Sequence, residues 1–448
     1  MSETPSNCSP KSPLAESDDL PNNCEMSNSD CQSESKSDYN KSSAPISYLT
    51  SYMAGFEKLK DTINYDIDKI DLNGSTIVRN FTFTSKSKSF SSFAPTPGVP
   101  ACLADIPGGS QLKSLFSTPD EEISENRKFR YHVFGPPDKT KSLIILLHGF
   151  NERHWDKYLP MALRLFELTG HAVVLFPIAF HMNRAPVLWH NNRVMQKVSQ
   201  YRRSLYPDII SSTLSNAAIS VRLHSDPSRF FWSGLQSYED LVDLGTLIRE
   251  GAHPAFEANS KIHFFTYSIG TLLAEITIMT DPDGLFSESK FATFCGGPVF
   301  NRLSPVSKFI LDSQANVQLY SFLVEHLDSH RRNDPKLEQV LGGSEVGRNF
   351  RALMNYRLDI DYRENKFRSL SPRVLAMALA QDEVVPPFEV INTLEGSRRD
   401  VGIEVKVFDF PYPYRHEDPF PATAKHDLEV TESFNQIFKI FGDFLTEN

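Results

Sequence analysis

Short apolar runs alternate with longer amphipathic stretches from about residue 126 to the end of the chain. Short runs rich in Val, Ile and Phe are typical of strands that are buried on both faces of a parallel sheet. The runs predicted to be strands are FRYHVF (129–134), SLIILLH (142–148), AVVLFP (172–177), KIHFFTYS (261–268), FATFC (291–295), RVLAMAL (373–379) and Glu404 to Phe410. Their alternation with amphipathic stretches predicts an α/β fold in which helices cross over between mostly parallel strands.

The amphipathic stretches are predicted to be helices on the faces of this sheet. They are KYLPMALRLFEL (157–168), YEDLVDLGTLIREG (238–251), TLLAEITIMT (271–280) and FNQIFKIFGDFL (434–445). Two other connections, at about 181–232 and 298–370, are too long to be simple crossovers. Ligands of open α/β sheets bind beyond the carboxyl ends of the strands, so we predict that both insertions are caps over a pocket there.

The chain is predicted to have three parts. Residues 1–45 are rich in Ser, Asn, Asp, Glu, Lys and Pro and have almost no large apolar side chains, which predicts a disordered polar tail. Residues 46–125 regain aromatic side chains but keep loop-rich pieces, and we expect an N-terminal extension packed on the core. Residues 126–448 form the predicted main domain with its two insertions.

Charge and composition exclude several classes of partner. A formal net charge of -10 disfavours binding to nucleic acid or anionic membranes. The pairs Arg202, Arg203 and Arg331, Arg332 are expected to be solvated helix faces. No run of 18 apolar residues and no signal-peptide pattern is present, so we predict no membrane span and a cytoplasmic protein.

A candidate nucleophile lies in FFTYSIGTLLAEI, where an apolar run ends at Ser268 and a helical stretch begins at once. In a nucleophile elbow the serine occupies a sharp strand-to-helix turn that exposes its hydroxyl, and nearby positions are small because the two backbones converge. Gly270 satisfies this requirement. The structural alternative for Ser268 is a helix cap.

A second motif, LIILLHGFNERHW, places a loop directly after an early buried strand. Such a loop can present a backbone N–H opposite the elbow and, with the N–H that follows the nucleophile, bind an oxyanion. We therefore predict the amides of Phe150 and Ile269 as the oxyanion hole. His148 is expected to be a structural histidine that fixes this loop by hydrogen bonding.

A serine nucleophile needs a histidine base and a carboxylate that orients it, in the chain order Ser, acid, His. Asp382 follows a late strand in RVLAMALAQDEVVPP and is the predicted acid. Asp312 is an alternative acid. The structural alternative for Asp382 is an aspartate in a surface turn. His416 and His426 are the histidines that follow Asp382. We favour His416 as the base because it lies in the proline-restricted loop after the last strand.

The sequence predicts neither metal nor cofactor. No Cys, His and Asp grouping has zinc-like spacing, and no glycine-rich phosphate loop is present. The five cysteines have no paired spacing that indicates a disulfide framework.

Through HGFN, TYSIG, AQDEVVPP and a late histidine, residues 126–448 resemble the α/β-hydrolase superfamily. Through the runs RFFWSGLQSYEDL, FFTYSIGTLLAEI and YRHEDPFP, the chain resembles an uncharacterised bacterial branch of that superfamily. The resemblance implies a mostly parallel eight-stranded sheet, a Ser-His-acid triad and acyl-bond hydrolysis without a cofactor. The sequence departs from the common elbow pattern at Thr266, where glycine is usual.

These observations predict a serine hydrolase that cleaves a carboxylic ester or thioester through Ser268, His416 and Asp382 and an acyl-enzyme intermediate. The expected partner is a small-molecule acyl substrate, and the oligomeric state stays open. Two alternatives remain: a non-catalytic hydrolase-like protein that binds a small molecule, and an acyltransferase on the same scaffold. A set of aromatic residues in and near the first insertion indicates either an apolar acyl pocket or ordinary core, and we favour ordinary core. These residues are Trp189, Tyr201, Tyr206, Phe230, Phe231 and Trp232.

Overall fold

The computed structural model describes residues 69–72, 76–91 and 118–447, together with Tyr48 and Phe116. The predicted disordered tail, residues 1–45, lies outside the described residues. A nine-stranded sheet in the order β1-β2-β3-β5-β4-β6-β7-β8-β9 runs through this part of the chain. Its strands are β1 (Lys69–Asp71), β2 (Ile77–Thr84), β3 (Lys128–Gly135), β4 (Thr140–Leu147), β5 (Ala172–Leu175), β6 (Phe256–Tyr267), β7 (Phe291–Phe294), β8 (Val374–Leu379) and β9 (Glu404–Phe408).

The sheet is mixed. The six strands β5, β4, β6, β7, β8 and β9 are parallel to one another. In contrast, β3 is antiparallel to both β2 and β5, and β1 is antiparallel to β2. All seven strands predicted from the apolar runs are present, which confirms the predicted α/β class. The sheet has nine strands in place of the expected eight because β1 and β2 extend one edge.

The register brings the carboxyl ends of the parallel strands to one edge. Leu147 of β4 pairs with Thr266 of β6, and Tyr267 pairs with Phe294 of β7. The chain segments that leave these strands therefore meet above the same edge of the sheet. This is where the sequence places its candidate chemistry.

Helices cover both faces of the sheet. Those in the described residues are α1 (Ser124–Arg127), α2 (Tyr158–Thr169), α3 (Asn192–Leu205), α4 (Ala217–Ser225), α5 (Ser228–Arg249), α6 (Ile269–Thr280), α7 (Ser313–Tyr320), α8 (Leu327–Asn333), α9 (Pro335–Leu341), α10 (Glu345–Ala352), α11 (Ile360–Leu370), α12 (Pro387–Leu394) and α13 (Asp427–Thr446). The four predicted helices correspond to α2, α5, α6 and α13. Of these, α5 begins well before its predicted start.

The central strand β4 is buried on both faces, as its apolar run predicts. Ile145 belongs to a core cluster that includes residues of α5 and α6. Its neighbour Ile144 belongs to a second cluster that includes residues of α2 and α13. Successive side chains of a strand point to opposite faces, so β4 ties two helical layers together.

The two predicted insertions are largely helical. The first contains α3, α4 and the start of α5, and the second contains α7 to α11. Asp312 at the start of α7 forms a two-pronged ion pair with Arg202 of α3, at 2.6 and 2.7 Å. This pair joins the insertions. The expectation that Arg202 is solvated was wrong, because Asp312 compensates its buried charge.

No helix within the described ranges has both the length and the apolar character required to cross a bilayer.

Candidate active site

Ser268 lies alone between β6 and α6, in the sharp turn that the sequence predicts. Its φ and ψ angles are 55° and -122°, a backbone conformation that is strained for any residue with a side chain. Ser268 occupies the position before the first helical residue, but its side chain makes no capping hydrogen bond. The capping alternative is therefore wrong, and the hydroxyl is directed elsewhere.

The Ser268 hydroxyl contacts the imidazole of His416, with 2.9 Å between Oγ and Nε2. The other ring nitrogen, Nδ1, lies 2.7 Å from Oδ2 of Asp382. A carboxylate only accepts hydrogen bonds, so Nδ1 carries the proton and Nε2 is free to accept the serine proton. The structure thus brings the three predicted side chains into one hydrogen-bonded chain.

The Asp382 carboxylate is buried and firmly oriented. Its Oδ1 atom accepts the backbone N–H groups of Val384 and Val385, at 3.0 and 2.8 Å. This leaves Oδ2 for His416. The adjacent Glu383 is exposed to solvent. Backbone N–H groups of the loop AQDEVVPP thus hold the Asp382 carboxylate. Because Asp382 is buried, it does not lie in a surface turn.

The alternative residues do not join this chain. Asp312 caps α7 through the N–H of Ala315 and is paired with Arg202. His426 lies at the start of α13, with its ring 6.4 Å from that of Tyr412. Neither residue is hydrogen-bonded to Ser268 or His416, whose imidazole is bonded to Ser268 and Asp382.

His148 supports the loop after β4, as expected. Its Nε2 atom accepts the N–H of Ile178 at 3.0 Å, and its Nδ1 donates to the carbonyl of Gly149 at 2.8 Å. Burial holds the pKa of His148 well below its usual range, so the ring is neutral. This ring fixes the backbone immediately before Phe150.

Thr266, where glycine is usual, is accommodated by a hydroxyl chain. Its Oγ1 lies 3.0 Å from Oγ1 of Thr271 in α6, which lies 2.7 Å from Oγ1 of Thr293 in β7. Gly296 provides the room, because a Cβ atom there would lie 2.0 Å from Thr271 Oγ1. The departure from the elbow pattern is thus built into the packing of β6, α6 and β7.

Two buried phenols below the elbow were not found from the sequence. The Tyr267 hydroxyl donates to the backbone carbonyl of His416. The Tyr158 hydroxyl accepts the N–H of Gly149 at 2.8 Å and donates to Glu152 at 3.0 Å. Burial raises the pKa of both phenols well above the usual value, so both stay protonated. The pair supports the histidine loop and the loop that carries Phe150.

Cys295 at the end of β7 is a further residue that the sequence did not single out. It is a buried free thiol with a positive φ of 52°. Burial raises the pKa of this thiol well above the usual value, and the charge of the Asp382 carboxylate adds to the effect. Cys295 is therefore a neutral group near the carboxylate.

A cavity of about 560 Å³ opens at the Ser268 side chain. Phe150 and Ile269, whose amides are the predicted oxyanion donors, line it together with Gly296 and Gly297. Ile269 is the first residue of α6, where backbone N–H groups have no acceptor within the helix. The site thus combines a hydroxyl, an imidazole and an apolar cavity with nearby amides.

In the part of the chain that the structure describes, no three His, Cys, Asp or Glu side chains are grouped as a metal site.

The fold and the site together define an α/β protein with a serine, histidine and aspartate assembled at the carboxyl edge of its sheet. The chain belongs to the family of unknown function DUF6051, whose model matches residues 50–446. No curated protein matches the sequence. Membership of the α/β-hydrolase superfamily, and of its bacterial branch, stays a prediction.

Solved structures similar to this chain include three hydrolase-type proteins. A mutant of the esterase rPPE has a TM-score of 0.45 and 9% identity, covering 89% of this chain and 91% of the other. Carboxyl esterase 2 from Tuber melanosporum has a TM-score of 0.38 and 11% identity, and the match covers 70% of this chain and 81% of the esterase. The peroxisomal α/β-hydrolase Lpx1 from Saccharomyces cerevisiae has a TM-score of 0.38 and 12% identity, and the match covers 84% of this chain and 92% of Lpx1.

Proposed function

We propose that this protein is a serine hydrolase that cleaves a carboxylic ester or thioester through an acyl-enzyme intermediate. The hydrogen-bonded chain from Ser268 through His416 to Asp382 carries the proposal. Serine is a weak nucleophile near neutral pH and needs a base at its hydroxyl and a carboxylate behind that base. All three groups are present at hydrogen-bonding distance.

In the proposed reaction, Ser268 Oγ attacks the substrate carbonyl carbon while His416 Nε2 takes the hydroxyl proton. Asp382 stabilises the resulting imidazolium through Nδ1. The tetrahedral intermediate then collapses, the bond to the leaving oxygen or sulfur breaks, and His416 returns the proton to that atom. Water repeats the sequence on the acyl-enzyme, and His416 acts again as base and then as acid.

The amides of Phe150 and Ile269 are proposed to bind the oxyanion. Both residues line the cavity at Ser268, and the first turn of α6 supplies N–H groups that favour negative charge. The backbone next to Phe150 is held by Tyr158 and His148. Donors fixed before the reaction stabilise the developing charge without reorganisation.

The two insertions are proposed to act as caps. Phe230 from the end of the first and Leu311 from the second line the Ser268 cavity. Exclusion of water by such caps strengthens the electrostatic interactions inside the site.

A fluorophosphonate probe tests the proposal, because it modifies only an activated serine. The native protein should be labelled, and Ser268→Ala should not. Ser233→Ala is a matched control: Ser233 lines a neighbouring cavity but makes no contact with His416, and its loss should leave labelling unchanged. Absence of labelling in the native protein would favour the non-catalytic binding alternative.

A further inference from the structure

A second and larger cavity lies beside the one at Ser268. It spans about 770 Å³, compared with about 560 Å³ for the cavity at Ser268. The two cavities share Phe150, Phe230, Ile269 and Leu272 as lining residues. The proposed oxyanion residues therefore stand between them, and a substrate carbonyl at Ser268 would have this second space next to it.

The wall of the second cavity is apolar. Side chains from the first insertion, α5, α6 and α10 form most of it, among them Ile219, Phe231, Leu273, Ile276 and Phe350. An apolar wall favours a ligand group that loses contact with water, and it disfavours an ionised group without a partner.

The charged groups at this wall are compensated within the protein. Arg222 forms two hydrogen bonds to Asp120, at 2.6 and 2.8 Å. Arg229 lies 3.6 Å from Asp120 and 3.7 Å from Asp226. The carboxylates balance both guanidinium charges, so an anionic ligand finds no unbalanced cation here.

Gly234 keeps part of this cavity open. It lies inside α5, where glycine is less favourable for the helix than alanine. It also lines the cavity, and a Cβ atom placed on it would meet nothing within 4 Å. Packing therefore does not require glycine at this position, whereas a large side chain would occupy the cavity.

We propose that the second cavity binds the acyl chain of the substrate, and that the substrates are esters or thioesters of uncharged, apolar fatty acyl groups. Gly234 sets the room available to the chain. This inference rests on the proposed function of Ser268. Short acyl groups such as acetyl leave the cavity empty and gain nothing from its wall.

A series of p-nitrophenyl esters with acyl chains from acetate through octanoate to dodecanoate tests the proposal. For the native protein, kcat/KM should rise by at least about tenfold from acetate to octanoate. An apolar pocket can change kcat/KM by about tenfold or more for each methylene group that it buries. Gly234→Phe should lower the ratio of kcat/KM for octanoate to kcat/KM for acetate by about tenfold or more. Gly234→Ala adds only one methyl group and should lower that ratio less than Gly234→Phe does.

The controls separate this inference from the proposed function. A short-chain fluorophosphonate should label the native protein and should not label Ser268→Ala. If the native protein is not labelled, the proposed function fails. If it is labelled but kcat/KM does not depend on acyl length, or Gly234→Phe keeps the native profile, the acyl pocket is overturned. Gly234→Leu replaces the phenylalanine variant if that variant does not fold, and the native profile is decisive without any variant.

Discussion

The imidazole of His416 has a defined proton position. The Asp382 carboxylate accepts a hydrogen bond from Nδ1, and the backbone carbonyl of His416 accepts a hydrogen bond from the Tyr267 hydroxyl. The ring and the loop that carries it are therefore held by separate contacts. Substitutions can test each contact without removing the others.

Replacing each late histidine by alanine tests the assignment of the base. His416→Ala removes the proton acceptor of Ser268 and should lower kcat by roughly 10⁴-fold or more. His426→Ala should change kcat little, because its ring lies near Tyr412 and outside the hydrogen-bonded chain. Steady-state hydrolysis of one p-nitrophenyl ester measures both. Equal losses in the two variants would contradict the assignment.

Tyr267→Phe tests the support of the histidine loop. The buried carbonyl of His416 loses its donor, so the free energy of unfolding should fall by about 1–3 kcal/mol. We also expect kcat to fall with little change in KM, since the base loses its fixed position. Tyr131→Phe is the control: it removes a buried phenol whose hydroxyl contacts His253 at 2.7 Å and is not hydrogen-bonded to the proposed catalytic residues. The control should lose stability and keep kcat.

The sequence predicts these residues unequally. Ser268 is found because strand, turn and helix signals are contiguous, and Asp382 and His416 follow from the chain order of the elbow fold. The Tyr267 contact joins residues 149 positions apart, so no local pattern indicates it. The bond between Tyr158 and Gly149 is likewise visible only when α2 is placed beside β4.

At the scale of elements, β6 and α6 diverge from one sharp turn and both approach β4. Gly270 lies at this closest approach: a Cβ atom there would be 2.7 Å from the carbonyl oxygen of Leu147 and 2.9 Å from that of His148. Backbone atoms cannot move aside as flexible side chains do. The path of α6, and with it the Ile269 amide, depends on this absence of a side chain.

Gly270→Ala should therefore lower the free energy of unfolding by about 1–3 kcal/mol, the usual cost of overpacking. Gly234→Ala, also in a helix but facing open space, should raise it by roughly 0.5–1 kcal/mol, because alanine is the better helix former. Urea titration of both variants measures the two effects. Equal shifts in the same direction would show that helix propensity alone decides.

The fully buried strands were predictable because their apolar runs are continuous, as in β7 and β8. By contrast, β2 is a mixed strand near the edge of the sheet, with half-buried and exposed positions, and its run IVRNFTFT gives a weaker signal. The helices of the two insertions were not predicted individually. Their positions depend on long-range contacts such as the ion pair between Arg202 and Asp312.

At the scale of the whole molecule, buried histidines make the folded state sensitive to acid. His148, His253 and His263 each accept a backbone N–H through one ring nitrogen. Burial lowers the pKa of His148 well below its usual range, that of His253 to about 4 and that of His263 to about 3. These rings are neutral when folded and bind protons more readily when unfolded.

The free energy of unfolding should therefore fall as the pH is lowered from about 6.5 towards 4, because the unfolded chain takes up more protons there. Glu275 opposes this trend, since burial raises its pKa well above the usual value, but the histidines outnumber it. Urea unfolding at about pH 7, above this window, and at about pH 5, inside it, measures the effect. Equal or greater stability at the lower pH would contradict it.

The strained backbone of Ser268 sets a limit on redesign of this protein. A left-handed conformation of this kind costs on the order of 1–3 kcal/mol for a residue with a side chain, and glycine largely escapes that cost. Selection of variants by thermal stability alone would accordingly favour glycine at position 268 and discard the hydroxyl. Design of thermostable variants of this protein therefore has to exclude position 268 from substitution.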